Sequence, residues 1–202
     1  MRIGLDFDNT IVCYDQAIAL LADELFQLPA ELPRTKLALR DFLRARGREQ
    51  EWTAFQGELY GPGMHHAKPF EGAIQTMQHL VSEEHRLVIV SHRSLKPYEG
   101  HPHDLHAAAK KWVHKHLQNA GLFKNDRPDV NFLETREAKL DHISKIGCNV
   151  FIDDLPEIFQ SPDFPDKTYG ILFDPSGAEK APQRCKTITS WHELSEIVSK
   201  LH

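Results

Sequence analysis

The sequence predicts an α/β protein with a central five-stranded parallel sheet and a small helical segment inserted after the first strand. Three observations carry that prediction: short apolar runs recur along the 202 residues, helical stripes separate most of them, and polar residues close several runs. Unbroken apolar runs of this length suit strands buried on both faces, as the central strands of a parallel sheet are.

The first run, Ile3-Gly4-Leu5, leads directly into Asp6-Phe7-Asp8. The second, Leu87-Val88-Ile89-Val90, stops at Ser91-His92-Arg93, and a weaker third spans Val130 to Leu133. The fourth, Val150-Phe151-Ile152, ends at Asp153-Asp154, and the fifth covers Tyr169 to Phe173. Helical stripes lie around and between them. Ile74, Met77, Leu80 and Val81 form one; Leu105, Ala109, Trp112, Val113, Leu117 and Ala120 form another, stopped by Gly121. Leu140, Ile143 and Ile146 precede Gly147, and a last helix starts near Ser190 and carries Leu194, Ile197, Val198 and Leu201. Alternation of strand and helix at these spacings argues for a parallel sheet.

Residues 14–67 break the alternation. Ala17 to Phe26, Thr35 to Arg46 and Glu49 to Leu59 are all helical in pattern, punctuated by Pro29, Pro33, Gly47 and Gly61-Pro62-Gly63. The expected organisation is a catalytic core of residues 1–13 and 68–202 with a helical cap at 14–67. Ser94 to His103, with two prolines and a glycine, reads as an irregular loop.

Composition narrows the function. Apolar residues at 41% and charged residues at 26% describe a globular chain. A formal charge of -5 gives no general reason to expect nucleic acid as a partner, although a local basic groove is compatible with it. Cys13, Cys148 and Cys185 are sparse and odd in number, which argues against a disulfide framework or a thiolate zinc site. Asp6 and Asp8 interrupt the first apolar run, so no signal peptide is expected, and no run approaches the roughly 20 apolar residues of a membrane helix. A cytoplasmic protein is the expectation.

Ligands of open α/β sheets bind outside the carboxyl ends of the strands. Those ends deliver Asp6, Asp8 and Thr10, then Ser91, then Asp153 and Asp154, with Lys139 in the helix after the third strand. Phosphate monoesters are anionic, so carboxylates alone would repel them; Mg2+ held by one or two carboxylates removes that obstacle. Asp6 and Asp153 could hold the cation, Lys139 would add fixed positive charge, and Ser91 and Thr10 offer hydroxyl donors. Asp6 could then attack phosphorus, with Asp8, on the same side of the strand, as acid and base.

Ile3 to Thr10 resembles the first motif of haloacid dehalogenase-like hydrolases, an apolar strand ending in Asp-x-Asp-x-Thr. Leu87 to Ser91, Lys139 and Val150 to Asp154 are similar to the second, third and fourth motifs, in the family's order. The resemblance implies a three-layer Rossmann-like fold and a phosphatase that works through an aspartyl-phosphate. It implies Asp6 as nucleophile and metal ligand, and Asp8 as acid/base, reaching the Mg2+ through its backbone carbonyl. Thr10 would orient the loop, Ser91 and Lys139 would hold phosphoryl oxygens, and Asp153 and Asp154 would complete the metal site. Residues 14–67 would be the small helical cap that selects a small phosphorylated substrate, a nucleotide or a sugar phosphate. The loop and helix after Ser91 look weakly like the deoxyribonucleotidase branch. Asn9 departs from the usual glycine, and an asparagine tolerates unusual turn geometry.

Competing readings stand beside these. Lys145 competes with Lys139 for the third motif, Asp154 could cap a following helix, and Arg93 could bind substrate phosphate or another anionic group. His101-x-His103 could be a zinc pair but has no acidic or cysteine partner at a convincing spacing. Trp52, Phe55 and Tyr60 fit the interior of the cap better than a stacking platform. Phosphoryl transfer or mutase chemistry on the same fold is the alternative activity, and a non-catalytic domain that binds a phosphorylated ligand is the alternative outside catalysis.

Overall fold

A computed structural model describes residues 1–123, 129–180 and 182–201 of the chain. The described residues divide into two compact units: Met1–Val12, Pro69–Arg93 and His116–His202 form one, and Cys13–Lys68 with Ser94–Lys115 form the other.

The first unit is built on a six-stranded sheet of β1 (Arg2–Leu5), β4 (Arg86–His92), β5 (Val130–Leu133), β6 (Val150–Asp153), β7 (Tyr169–Phe173) and β8 (Cys185–Ile188). Its order is β5-β4-β1-β6-β7-β8, and every pairing is parallel. The sheet therefore has one strand more than the five expected. The addition is the edge strand β8, Cys-Lys-Thr-Ile, of which only Ile188 is buried. An edge strand with one buried side chain lacks the apolar run that marks the interior strands. The short strands β2 (Val12–Cys13) and β3 (Lys68–Pro69) form a second, two-stranded sheet where the chain passes from one unit to the other.

Helices cover both faces of the large sheet. On one face α4 (Ala73–Ser82) and α8 (His192–Lys200) pack together, burying Met77, Leu80, Leu194 and Val198. On the other, Leu140 and Ile143 of α6 (Arg136–Ile146) and Ile158 and Phe159 of α7 (Pro156–Gln160) join Val88, Val90, Phe151 and Leu172 in one apolar cluster. Val88 and Val90 share a face because strand side chains alternate. The result is the three-layer α/β architecture the sequence predicts. Gly4 is required where β1 meets β6: a Cβ there would lie 2.5 Å from Phe151 Cδ2 and 2.8 Å from Cys148 Sγ.

The second unit is helical: α1 (Asp15–Leu25), α2 (Lys36–Arg44), α3 (Glu49–Tyr60), a 3-10 turn at Pro62–His66 and α5 (Leu105–Val113). Thr35 and Asp104 cap α2 and α5, accepting from Ala38 N and Ala107 N. Trp52 and Phe55 stack in its interior, both buried, and Trp112 donates to Ala67 O at 2.9 Å. The stripe read as one helix to Ala120 divides, with α5 ending at Val113 and a π-helical turn following at His114–Gln118.

Candidate active site

Parallel register assembles the site. Leu5 pairs with Ile89 of β4 on one side and Ile152 of β6 on the other, so Asp6, Ser91 and Asp153 all emerge at the same carboxyl edge. Asp6 N donates to Ile152 O at 2.8 Å, which ties the end of β1 to β6 before the chain turns. In that turn Asn9 has φ 56°, the left-handed region that asparagine tolerates better than most residues. Ile11 N and Val12 N both donate to Phe7 O, and Trp191 Nε1 donates to Thr10 O at 3.0 Å.

Lys139 enters from α6. Thr135 caps that helix through Ala138 N at 3.1 Å, setting Lys139 one turn inside it. Its ammonium lies 2.5 Å from Asp6 Oδ1 and 2.5 Å from Asp153 Oδ2, with only 1% of the side chain exposed. The competing Lys145 is exposed in the last turn of α6. Ser91 Oγ donates to the same Asp6 Oδ1 at 2.9 Å, while Asp6 Oδ2 accepts no hydrogen bond among the described residues. Asp153 Oδ1 accepts from Leu155 N at 3.0 Å, and Thr10 Oγ1 lies 3.5 Å from Asp154 Oδ1.

Asp6, Asp153 and Asp154 bring carboxylate oxygens within 4.8 Å of one another, and among the described residues they are the one group of three acidic, histidine or cysteine side chains that does so. Burial pushes the Asp6 carboxyl up to about 7, with Lys139 opposing and Asp153 and Asp8 reinforcing the rise. Burial likewise raises Asp153 against the pull of Lys139. For Lys139 burial works the other way, and the two carboxylates outweigh it and hold the ammonium above its ordinary range. Fully ionised, the three carboxylates would outnumber the one ammonium in a largely dry place, and the raised Asp6 and Asp153 carboxyls reflect that strain. Hard oxygen donors in that arrangement fit a divalent cation such as Mg2+.

Two contacts were not visible in the sequence. Arg93 Nη1 meets both carboxylate oxygens of Asp8, at 2.5 and 2.8 Å, so its guanidinium rests on the second aspartate of the first motif. Trp191 supports the loop from the start of α8. His101 and His103 sit with ring centres 5.8 Å apart, and His103 Nε2 lies 2.9 Å from Glu58 Oε1. The helical unit has its own cavity of about 390 Å³, whose lining includes Met64, His65, His103, Lys111, Trp112 and Lys115.

No protein-family model matches the sequence, and no curated protein matches it. The fold is nevertheless that of the haloacid dehalogenase-like hydrolases. YfnB of Bacillus subtilis, a hydrolase of that type bound to magnesium, superposes with a TM-score of 0.61 at 13% identity, over 98% of this chain and 97% of its own. SP0104 of Streptococcus pneumoniae, a haloacid dehalogenase-like protein, gives 0.61 at 12% identity, over 98% and 97%. A hydrolase of the same type from Deinococcus radiodurans, with bound phosphate and sodium, gives 0.57 at 13% identity, over 99% and 95%.

Proposed function

We propose that the protein is a Mg2+-dependent phosphatase that hydrolyses a small phosphate monoester through an aspartyl-phosphate on Asp6. The observation that carries this reading is the ammonium of Lys139 set between Asp6 and Asp153, with Ser91 on the same Asp6 oxygen. Both donors occupy Oδ1, which leaves Oδ2 as the attacking atom.

Asp6 Oδ2 forms a bond to phosphorus as the ester P–O bond breaks, and Asp8 gives its proton to the departing oxygen. Water then attacks phosphorus, Asp8 takes its proton, and the Asp6–phosphorus bond breaks to release inorganic phosphate. Ser91 and Lys139 orient Asp6 and the phosphoryl oxygens, and Thr10, whose hydroxyl faces Asp154, orients the loop. Asp6, Asp153, Asp154 and the main-chain carbonyl of Asp8 would hold the cation, which offsets the negative charge of the phosphoryl group. The helical unit is the proposed substrate-selecting cap. Lys111, Lys115, His65 and His103 around its cavity suit an anionic ligand such as a nucleotide or sugar phosphate.

The test is phosphate release from a panel of nucleotides and sugar phosphates, with Mg2+ and with chelator. Release that requires Mg2+ and vanishes in Asp6→Asn supports the reading. Activity of Asp6→Asn near that of the wild type refutes it.

A further inference from the structure

Four aspartates crowd the carboxyl edge of the sheet around β1, yet only three of them converge. The carboxylate of Asp8 does not belong to the group formed by Asp6, Asp153 and Asp154. It is held instead by Arg93, whose side chain is 3% exposed against 20% for that of Asp8. Arg93 is fixed from several sides. Its backbone N–H donates to Leu133 O at 2.7 Å, locking the residue to the end of β5. Its guanidinium carbon lies 5.9 Å from the centre of the Phe7 ring, and that ring meets Phe132 edge-on at 5.2 Å. The position of the guanidinium is thus set by β4, β5 and the turn after β1.

The geometry points to Arg93 as a positioning residue that keeps the Asp8 carboxylate out of the cation site. The inference rests on the proposed cation site of Asp6, Asp153 and Asp154. Asp8 follows Asp6 by two residues in the turn beyond β1, which keeps it at the same edge of the sheet. A hard cation takes carboxylate oxygens readily, and Mg2+ keeps a fixed octahedral shell. A fourth carboxylate turned inward would occupy a position needed for substrate, and would remove the group that serves the leaving oxygen. Arg93 prevents both by holding the two Asp8 oxygens on its own nitrogen. This assigns Arg93 to Asp8 rather than to substrate phosphate.

The experiment is Mn2+ binding to the chelator-stripped full chain without substrate, by electron paramagnetic resonance. It compares wild type, Arg93→Met, Asp8→Asn and the double variant, with circular dichroism to verify folding. Arg93→Met should bind Mn2+ about tenfold more tightly, as a coupled pair of neighbours allows. In the Asp8→Asn background the same substitution should change affinity by no more than about twofold, because the released carboxylate is absent. Loss of a nearby positive charge also favours cation binding, but that gain does not depend on Asp8. Equal gains in the two backgrounds, or no gain in either, overturn the inference while leaving the cation site standing. A folded wild type that binds no Mn2+ overturns the cation site and the inference together. If Arg93→Met does not fold, Arg93→Lys, which keeps the charge and shortens the reach, carries the same cycle.

Discussion

Replacing Asp6 by Asn should change how stability depends on pH in the cation-free protein. The Asp6 carboxyl is pushed from 3.8 up to about 7, chiefly by burial. Between those values the folded chain keeps a proton on this group that the unfolded chain has released. The wild type therefore loses stability as pH rises through that window, by as much as about 1.4 kcal/mol per pH unit, whereas Asn has no proton to lose. Over roughly three units the gap reaches at most about 4 kcal/mol, fully developed above the folded value and absent below pH 3.8. Urea unfolding with chelator at steps from pH 4.5 to 8 measures it directly. The expected result is a difference between Asp6→Asn and wild type that grows in favour of the variant with pH. Saturating Mg2+ should close that gap at high pH by stabilising the ionised wild-type site. Parallel profiles for the two proteins would refute the argument that burial of the Asp6 charge opposes folding.

Lys139→Met should cost about 3–5 kcal/mol in urea unfolding at neutral pH with chelator, because it strands two buried carboxylates, and it should abolish phosphate release. Gly4→Ala should lower stability by about 1–3 kcal/mol, since the new methyl must displace Phe151 and Cys148, and a thermal melt reads it. Asp104→Ala should cost about 1 kcal/mol through the lost cap on α5, seen as a lower urea midpoint for the helical unit.

Much of the fold was legible because its signals are local. The interior strands are apolar runs, and the stripes of α4, α6 and α8 repeat within single helices. The candidate site was legible for the same reason, since each residue lies in or within five residues of a strand end, or one turn into a helix. What escaped depends on distance or on weak burial. β8 buries one side chain, and α7 is a five-residue helix begun by Pro156, too short for a periodic stripe. Arg93 and Asp8 are 85 residues apart, and Trp191 and Thr10 are 181 apart. No local pattern pairs residues so far apart; only the strand order brings them together. Lys139 is favoured over Lys145 already by its place nearer the strand end, and the helix orientation buries the first and exposes the second.

The strand order also has a consequence for synthesis on the ribosome. β1 is made early but lies in the middle of the sheet, between β4 and β6. Asp6 thus emerges long before its neighbours: Ser91 follows it by 85 residues and Lys139 by 133, while Trp191 trails Thr10 by 181. At a translation rate of about 5–20 residues per second, roughly 7 s or more separate Asp6 from Lys139. The burial that raises the Asp6 carboxyl is completed only when these later-made segments close over it.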